Sequence, residues 1–136
     1  MQHTLSIIEN ALWPILEAGF TVTIPLALIS FALSLVLAVL TAVMRISKSR
    51  LLKGLAWFYV WVFRGTPLLI QLFIVFFGLP KLNITLDAWT AAILTFALNS
   101  GAYSAESIRG AILSIPRGQW EAADSLGMTH GQVLKR

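Results

Sequence analysis

The sequence predicts an all-α protein threaded through a membrane, and two observations carry that prediction. Hydrophobic residues fill 57% of the 136 positions against 12% charged, with a mean hydropathy of +0.80, far from the balance of a soluble domain. The apolar residues also fall into long uncharged runs, which leave too little polar sequence to cover a soluble core of this size. There is no cysteine, so disulfides, iron-sulfur clusters and thiolate zinc sites are excluded and redox chemistry is not expected.

Met1 to Trp13 lacks the basic start and small-residue cleavage site of a signal peptide, so the apolar run that follows is expected to be retained. Ala18 to Met44 holds 27 uncharged residues, about 40 Å of helix at roughly 1.5 Å per residue, enough to cross a bilayer with tilt. Pro25 is expected near the start of this helix, where a missing backbone donor costs least. Ser30, Ser34, Ala38 and Ala42 recur every fourth residue down one face, a small-residue stripe of the kind that packs against another helix.

A second span is expected over about 57–80. Arg64 interrupts it and leaves 16 uncharged residues from Gly65 to Pro80, about 24 Å of helix. Trp57, Phe58, Tyr59, Trp61 and Phe63 beside it have the composition of an aromatic belt. A third span is expected over about 88–106, bounded by Asp87 and Glu106, after which the sequence turns polar. Arg45, Lys48, Arg50 and Lys53 lie between the first two spans, and only Lys81 lies between the second and third. The positive-inside rule then places the N-terminus outside, the basic loop inside and the tail, with Arg109, Arg117, Lys135 and Arg136, inside.

Arg64-Gly65-Thr66-Pro67 puts a fixed cation, a flexible residue and a helix breaker together at a membrane rim. Counted from the outer boundary, Arg64 lies about 24 Å and Glu106 about 28 Å along their helices, which predicts an intramembrane ion pair; the alternative is an arginine that snorkels to lipid headgroups. Thr95, Asn99, Ala102, Tyr103 and Glu106 share one helical face. Thr95, Asn99 and Tyr103 are candidates to border a translocation path, and helix-helix hydrogen bonding is the competing role. In the tail, Pro116 is expected to open a short helix that runs through Trp120, Ala123 and Leu126 and ends at Gly127. Thr129 stands three residues before Gln132, the spacing of a capping box for a second helix. Glu121-Ala122-Ala123 offers a charged anchor beside a pair of small residues, which suits a docking surface; lying on lipid is disfavoured because Glu121 and Asp124 would face anionic headgroups.

Phosphate loops, serine elbows and histidine clusters are missing, and His3 and His130 stand at opposite ends of the chain as solvated side chains rather than metal ligands. The basic and aromatic stretch around Lys48 to Phe63 reads as a membrane anchor, not a nucleic-acid surface. A channel is disfavoured for lack of a repeated ring of charges.

These residues together resemble the permease subunit of bacterial ATP-binding-cassette importers of the polar amino acid branch, which includes the histidine, glutamine, arginine and cystine systems. The resemblance runs through Gly19-Phe20-Thr21-Val22-Thr23, Arg64-Gly65-Thr66-Pro67-Leu68 with Gln71, and Phe77-Gly78-Leu79-Pro80. It continues through Tyr103 to Glu106, Arg109-Gly110, Pro116, Gly118-Gln119, Glu121-Ala122-Ala123 and Leu126-Gly127. It implies three helices of a type I importer core with cytoplasmic coupling helices over about 107–136, in a multi-pass protein of the bacterial inner membrane. It implies no cofactor bound directly, with ATP on partner subunits, so the chain itself is not an enzyme. The implied partners are a cytoplasmic ATPase dimer, a second permease copy or paralogue, an extracytoplasmic amino-acid-binding protein and membrane lipid. Gly118, Glu121, Ala122, Ala123 and Gly127 would couple ATPase motion to alternating access. The segments from Arg64 to Pro80 and Gly118 to Glu121 look similar to cystine permeases. The family continues its loop with an Ile-x-Leu-Pro segment and two more spans, whereas this sequence stops at Arg136, nine residues after Gly127, which sets the expectation of a chain truncated after the Glu-Ala-Ala loop. The competing function is a non-transporting membrane protein that binds an ATPase or a partner permease.

Overall fold

The computed structural model describes residues 2–135, with side chains for residues 10–129 and 131–133. The side chains of His3, His130 and Lys135, and Arg136 entirely, lie outside the described residues. The described chain is helical and contains no strand.

Helix α1 (Gln2–Ala18), a π-helical turn (Gly19–Thr23) and helix α2 (Ile24–Ile46) follow one another without a break. Asn10–Ile46 is a 37-residue stretch long and apolar enough to cross a membrane, about 55 Å of helix. It begins well before the expected start at Ala18, so its first turns extend beyond the roughly 30 Å of hydrocarbon. Pro25 is therefore inside a long helix and not at its start. A proline ring there would collide with the carbonyl four residues back. The π turn widens the backbone just before it, with the Ile24 N–H donating to Gly19 O. The same device recurs in the second half of the fold: Ile74–Gly78 is π-helical, the Leu79 N–H donates to Ile74 O, and Pro80 follows.

Helix α3 (Arg50–Gly65) starts at Ser49, whose hydroxyl accepts from the Leu52 N–H. Where a continuous span over 57–80 is expected, α3 meets the following segment Leu68–Leu82 at 104°. The cause is local. Pro67 forces the residue before it out of the helical region, and Thr66 is extended at φ −121°, ψ 140°. Helix α4 (Leu68–Phe73), the π turn and a 3-10 turn (Leu79–Leu82) lead to Asn83, left-handed at φ 61°. Asn is among the few side chains that tolerate this conformation. Helix α5 (Ala88–Leu113) opens at Asp87, whose carboxylate accepts from the Thr90 N–H at 3.0 Å and hydroxyl at 2.7 Å. The Thr90 side chain and then its backbone hold the Asp87 carboxyl below its ordinary range. Helix α5 is 26 residues long and passes Glu106 by two turns rather than ending there.

The main contact in the fold is α2 against α5, running in the same direction. Ser30, Ser34, Ala38 and Ala42, the predicted stripe, are all buried, as are Ala91, Thr95, Gly101, Ala102 and Ala105 on α5, with Ser34 against Gly101 and Ala38 in one cluster with Ala105. The largest fully buried side chains of the described residues are Thr95 and Ser34. Leu28, Phe31, Val36 and Leu40 instead point outward. Small residues inside and large apolar ones outside invert the soluble pattern, as lipid requires: alkyl chains solvate leucine as well as a protein core does, so close backbone approach becomes the source of cohesion. Two of the buried hydroxyls return to their own helices, Ser34 to Phe31 O at 2.8 Å and Thr95 to Ala91 O at 2.7 Å, whereas the buried Ser30 Oγ has no hydrogen-bond partner among the described residues.

Gly101 sits where the packing is tightest. A Cβ there would lie 3.0 Å from Tyr59 Oη, 3.1 Å from Leu37 Cβ and 3.4 Å from Ser34 O. Tyr59 also donates to Leu98 O at 2.6 Å, tying α3 to the α2–α5 pair. Gly101→Val should destabilise the fold by about 1–3 kcal/mol through overpacking. Gly110→Val, with open space around the glycine, should be neutral or slightly stabilising, since valine ranks above glycine in a helix. Unfolding in mixed detergent micelles, followed by tryptophan fluorescence, measures both.

Candidate functional site

Three features of the structure group the sequence-predicted site residues. The first is the 104° break. Pro67 offers no N–H, and the carbonyls at the end of α3 lose their helical partners. Buried away from water, each unpaired carbonyl costs about 1–3 kcal/mol. Gln71, buried one turn into α4, closes the account: its Nε2 donates to Phe63 O at 2.9 Å, Thr66 O at 3.0 Å and Thr66 Oγ1 at 2.7 Å. Asn99 on α5 donates to Gln71 Oε1 at 3.1 Å and Phe63 O at 3.3 Å. The two amides thus clamp the break to the central helix.

The second feature is a charge cluster. Glu106 on α5 accepts from Arg45, at the end of α2, through Nε at 3.1 Å and Nη2 at 2.9 Å. Arg109, one turn further along α5, grips both carboxylate oxygens at 2.9–3.2 Å. Arg64 approaches the same carboxylate, with Nη1 4.0 Å from Oε2, and lies over the Tyr103 ring at 5.2 Å from its centroid. The predicted neighbours Arg64 and Glu106 are therefore brought together, but the close ligands of Glu106 are Arg45 and Arg109. Arg109 stands three residues from Glu106 and was accessible to helical-spacing arguments. Arg45, 61 residues away, carried only a topological signal. The expectation from a straight helix below Pro80 gave nearly the right depth for Arg64 by a path the chain does not take.

The structure separates the three path candidates. Thr95 is 1% exposed, its hydroxyl turned back to Ala91 O, Asn99 belongs to the clamp, and Tyr103 is exposed beside Arg64. One helical face thus serves two different surroundings.

The third feature is the elbow after α5. Helix α6 (Arg117–Ser125) follows Pro116, and Gly127 ends it at φ 69°. Met128 N donates to Ala123 O at 3.1 Å and Gly127 N to Asp124 O at 2.9 Å, the bond pair of a Schellman motif. Helix α7 (His130–Lys135) follows, with Gln132 Oε1 accepting from the Thr129 N–H at 2.8 Å, the returning half of a capping box. The alanine pair divides: Ala123 is buried and Ala122 is exposed. Gly118, Glu121 and Gly127 are exposed as well. A cavity of about 380 Å³ beside them is lined by Ile115, Trp120, Ala123, Leu126, Met128 and Val133, among others. Among the described residues, no three histidine, aspartate or glutamate side chains are grouped to hold a metal.

Glu106→Gln should cost about 3 kcal/mol, because it leaves closely bonded arginines without their counter-charge in a partly buried setting. Arg64→Gln should cost less than about 1 kcal/mol, as expected for a long, exposed contact. Detergent unfolding of the two variants side by side checks the order.

Residues 34–136 match the model of the family described as "Binding-protein-dependent transport system inner membrane component". The chain is 48% identical over 130 residues to the L-cystine transport system permease protein TcyB of Bacillus subtilis (strain 168), covering 96% of this chain and 56% of that one. It is 41% identical over 123 residues to the arginine transport system permease protein ArtQ of the same organism, covering 90% of this chain and 56% of the relative. Among solved structures, one described as "Crystal structure of an amino acid ABC transporter with histidines" superposes with a TM-score of 0.84 at 36% identity, over 96% of this chain and 60% of that one. The chain thus spans little more than half the length of the curated relatives it matches. With the small-residue seam, the clamped break and the glycine-ended elbow in the same chain, it belongs to the family of binding-protein-dependent transport system inner membrane components, as a relative of amino acid ABC transporter permeases.

Proposed function

We propose that the chain serves as a permease subunit of an ATP-driven bacterial importer of polar amino acids, with cystine the first substrate to test. Membership of the permease family carries this reading, and the cystine choice is supported by the similarity to a permease named for L-cystine transport. In this reading ATP is hydrolysed on a dimer of partner ATPases, cargo arrives on an extracytoplasmic binding protein, and a second permease copy or paralogue completes the pathway. The N-terminus is outside and the elbow is cytoplasmic, which agrees with the basic residues Arg45, Lys48, Arg50 and Lys53 between α2 and the body of α3.

The elbow supplies the contact with the motor. Exposed Gly118 and Ala122 leave room for an approaching surface, Glu121 offers a charge to it, and buried Ala123 fastens α6 to the turn beyond Gly127. A push on α6 passes through the short turn at Ser114–Pro116 into α5. Helix α5 carries Asn99 at the break and Glu106 at the arginine cluster. A rotation of α5 would therefore move both attachment points together.

Coexpression with candidate ATPase and binding protein tests the proposal. The ATPase should copurify, cystine-loaded binding protein should stimulate its turnover in vesicles, and Glu121→Lys should reduce ATPase retention at least tenfold while helix content stays unchanged. ATPase retention without stimulated turnover or uptake would favour the non-transporting reading. Failure to retain any ATPase would contradict both.

A further inference from the structure

We propose that Arg64, held over the Tyr103 ring beside the Arg45–Glu106 pair, binds the phosphate of an anionic phospholipid at the end of the bundle where Glu106 lies. The inference needs only that the chain spans a membrane and does not depend on transport or on which leaflet is cytoplasmic.

The first observation is a surplus of cation. Three guanidinium groups surround one carboxylate. Four nitrogens of Arg45 and Arg109 already contact the two Glu106 oxygens at 2.9–3.2 Å, with Arg109 Nε shared between them, which fills the roughly four lone-pair sites of a carboxylate. Arg64 is left at 4.0 Å, too far for a hydrogen bond, and its side chain is 44% exposed. The Tyr103 ring beneath it holds the guanidinium in place without supplying an acceptor. A fixed planar fork with unused donors matches a phosphate in geometry and in charge.

The second observation is shape. A cavity of about 360 Å³ opens between α3 and α5, lined by Arg45, Arg64, Tyr103, Glu106, Trp57 and Trp61, among others. Trp57 and Trp61 stack with centroids 6.0 Å apart and interplanar angle 10°, and both are more than half exposed. Tryptophans of this kind settle at headgroup level, where one edge of the ring is wet and the other apolar. A headgroup phosphate would enter the cavity beside these rings.

The third observation is depth. Glu106 lies 19 positions after Asp87, about 28 Å along α5, close to the thickness of the hydrocarbon layer. The unused donors of Arg64 therefore stand at the level of lipid phosphates, not at the bilayer centre. A zwitterionic lipid brings the same phosphate with a fixed cation attached, which the surplus of guanidinium groups disfavours.

The full chain, purified in mild detergent and supplied with phosphatidylglycerol or phosphatidylcholine, tests this by native mass spectrometry of retained lipid. Phosphatidylglycerol should be retained in preference, and Arg64→Gln should weaken its retention about tenfold, the loss of one charge-assisted contact. Arg64→Lys should restore part of it, and Arg50→Gln, at the exposed start of α3, should leave it unchanged. Inorganic phosphate at millimolar concentration should not displace the lipid. Equal retention of the two lipids, an equal loss in Arg50→Gln, or no loss in Arg64→Gln would overturn the proposal. Displacement by inorganic phosphate would also overturn it, by assigning the cluster to a soluble anion. Circular dichroism of each variant separates loss of the site from loss of the fold.

Discussion

The seam between α2 and α5 is the constraint on which the rest of the structure depends. Nothing larger than threonine is fully buried along it, and at Gly101 even a Cβ would press on Leu37, Tyr59 and the Ser34 carbonyl. In lipid a bulky apolar side chain gains nothing from moving inward, so cohesion comes from the many weak contacts of two backbones close together. The Arg45–Glu106 pair then fastens one end of the seam, and Tyr59 binds α3 across its middle. Every other element is referred to this pair.

A second demand shapes the rest: a backbone carbonyl buried away from water needs a donor. At both π turns the chain widens ahead of a proline and keeps its bonds within the helix. At Gly65–Pro67 it cannot, and Gln71 and Asn99 supply amide donors from outside the helix. Outside the seam, the elbow obeys ordinary rules of helix ends, with a left-handed glycine and a glutamine cap. The division is physically sensible: the rigid part grips by packing, while the docking part keeps its small and charged groups free for a partner.

Local rules made parts of this visible in the residues alone. A stripe at four-residue spacing shows which face of α2 must be buried, Gly127 shows where α6 stops, and Thr129 with Gln132 shows where α7 starts, because each depends on neighbours within one or two turns. Asp87 and Pro116 likewise mark starts of helices. What was hidden depended on distance in sequence. Pro67 announces a break but not a 104° turn, whose size follows from how α4 rests on α5. Glu106 calls for a cation, yet choosing Arg45 over Arg64 requires the register of α2 on α5. The polar face of α5 looked uniform because spacing shows alignment, while burial depends on which neighbour each residue meets: Thr95 is fully buried, and Tyr103 meets Arg64 and open space.

Disulfide trapping measures the seam most directly, since the chain has no cysteine of its own. In the full chain reconstituted into vesicles, cysteines at Ala38 and Ala105, which share one buried cluster with Val60, should cross-link rapidly on mild oxidation. The pair at Val39, which faces outward, and Ala105 should not. Equal cross-linking of the two pairs, or none at Ala38 and Ala105, would contradict a fold organised on close α2–α5 contact.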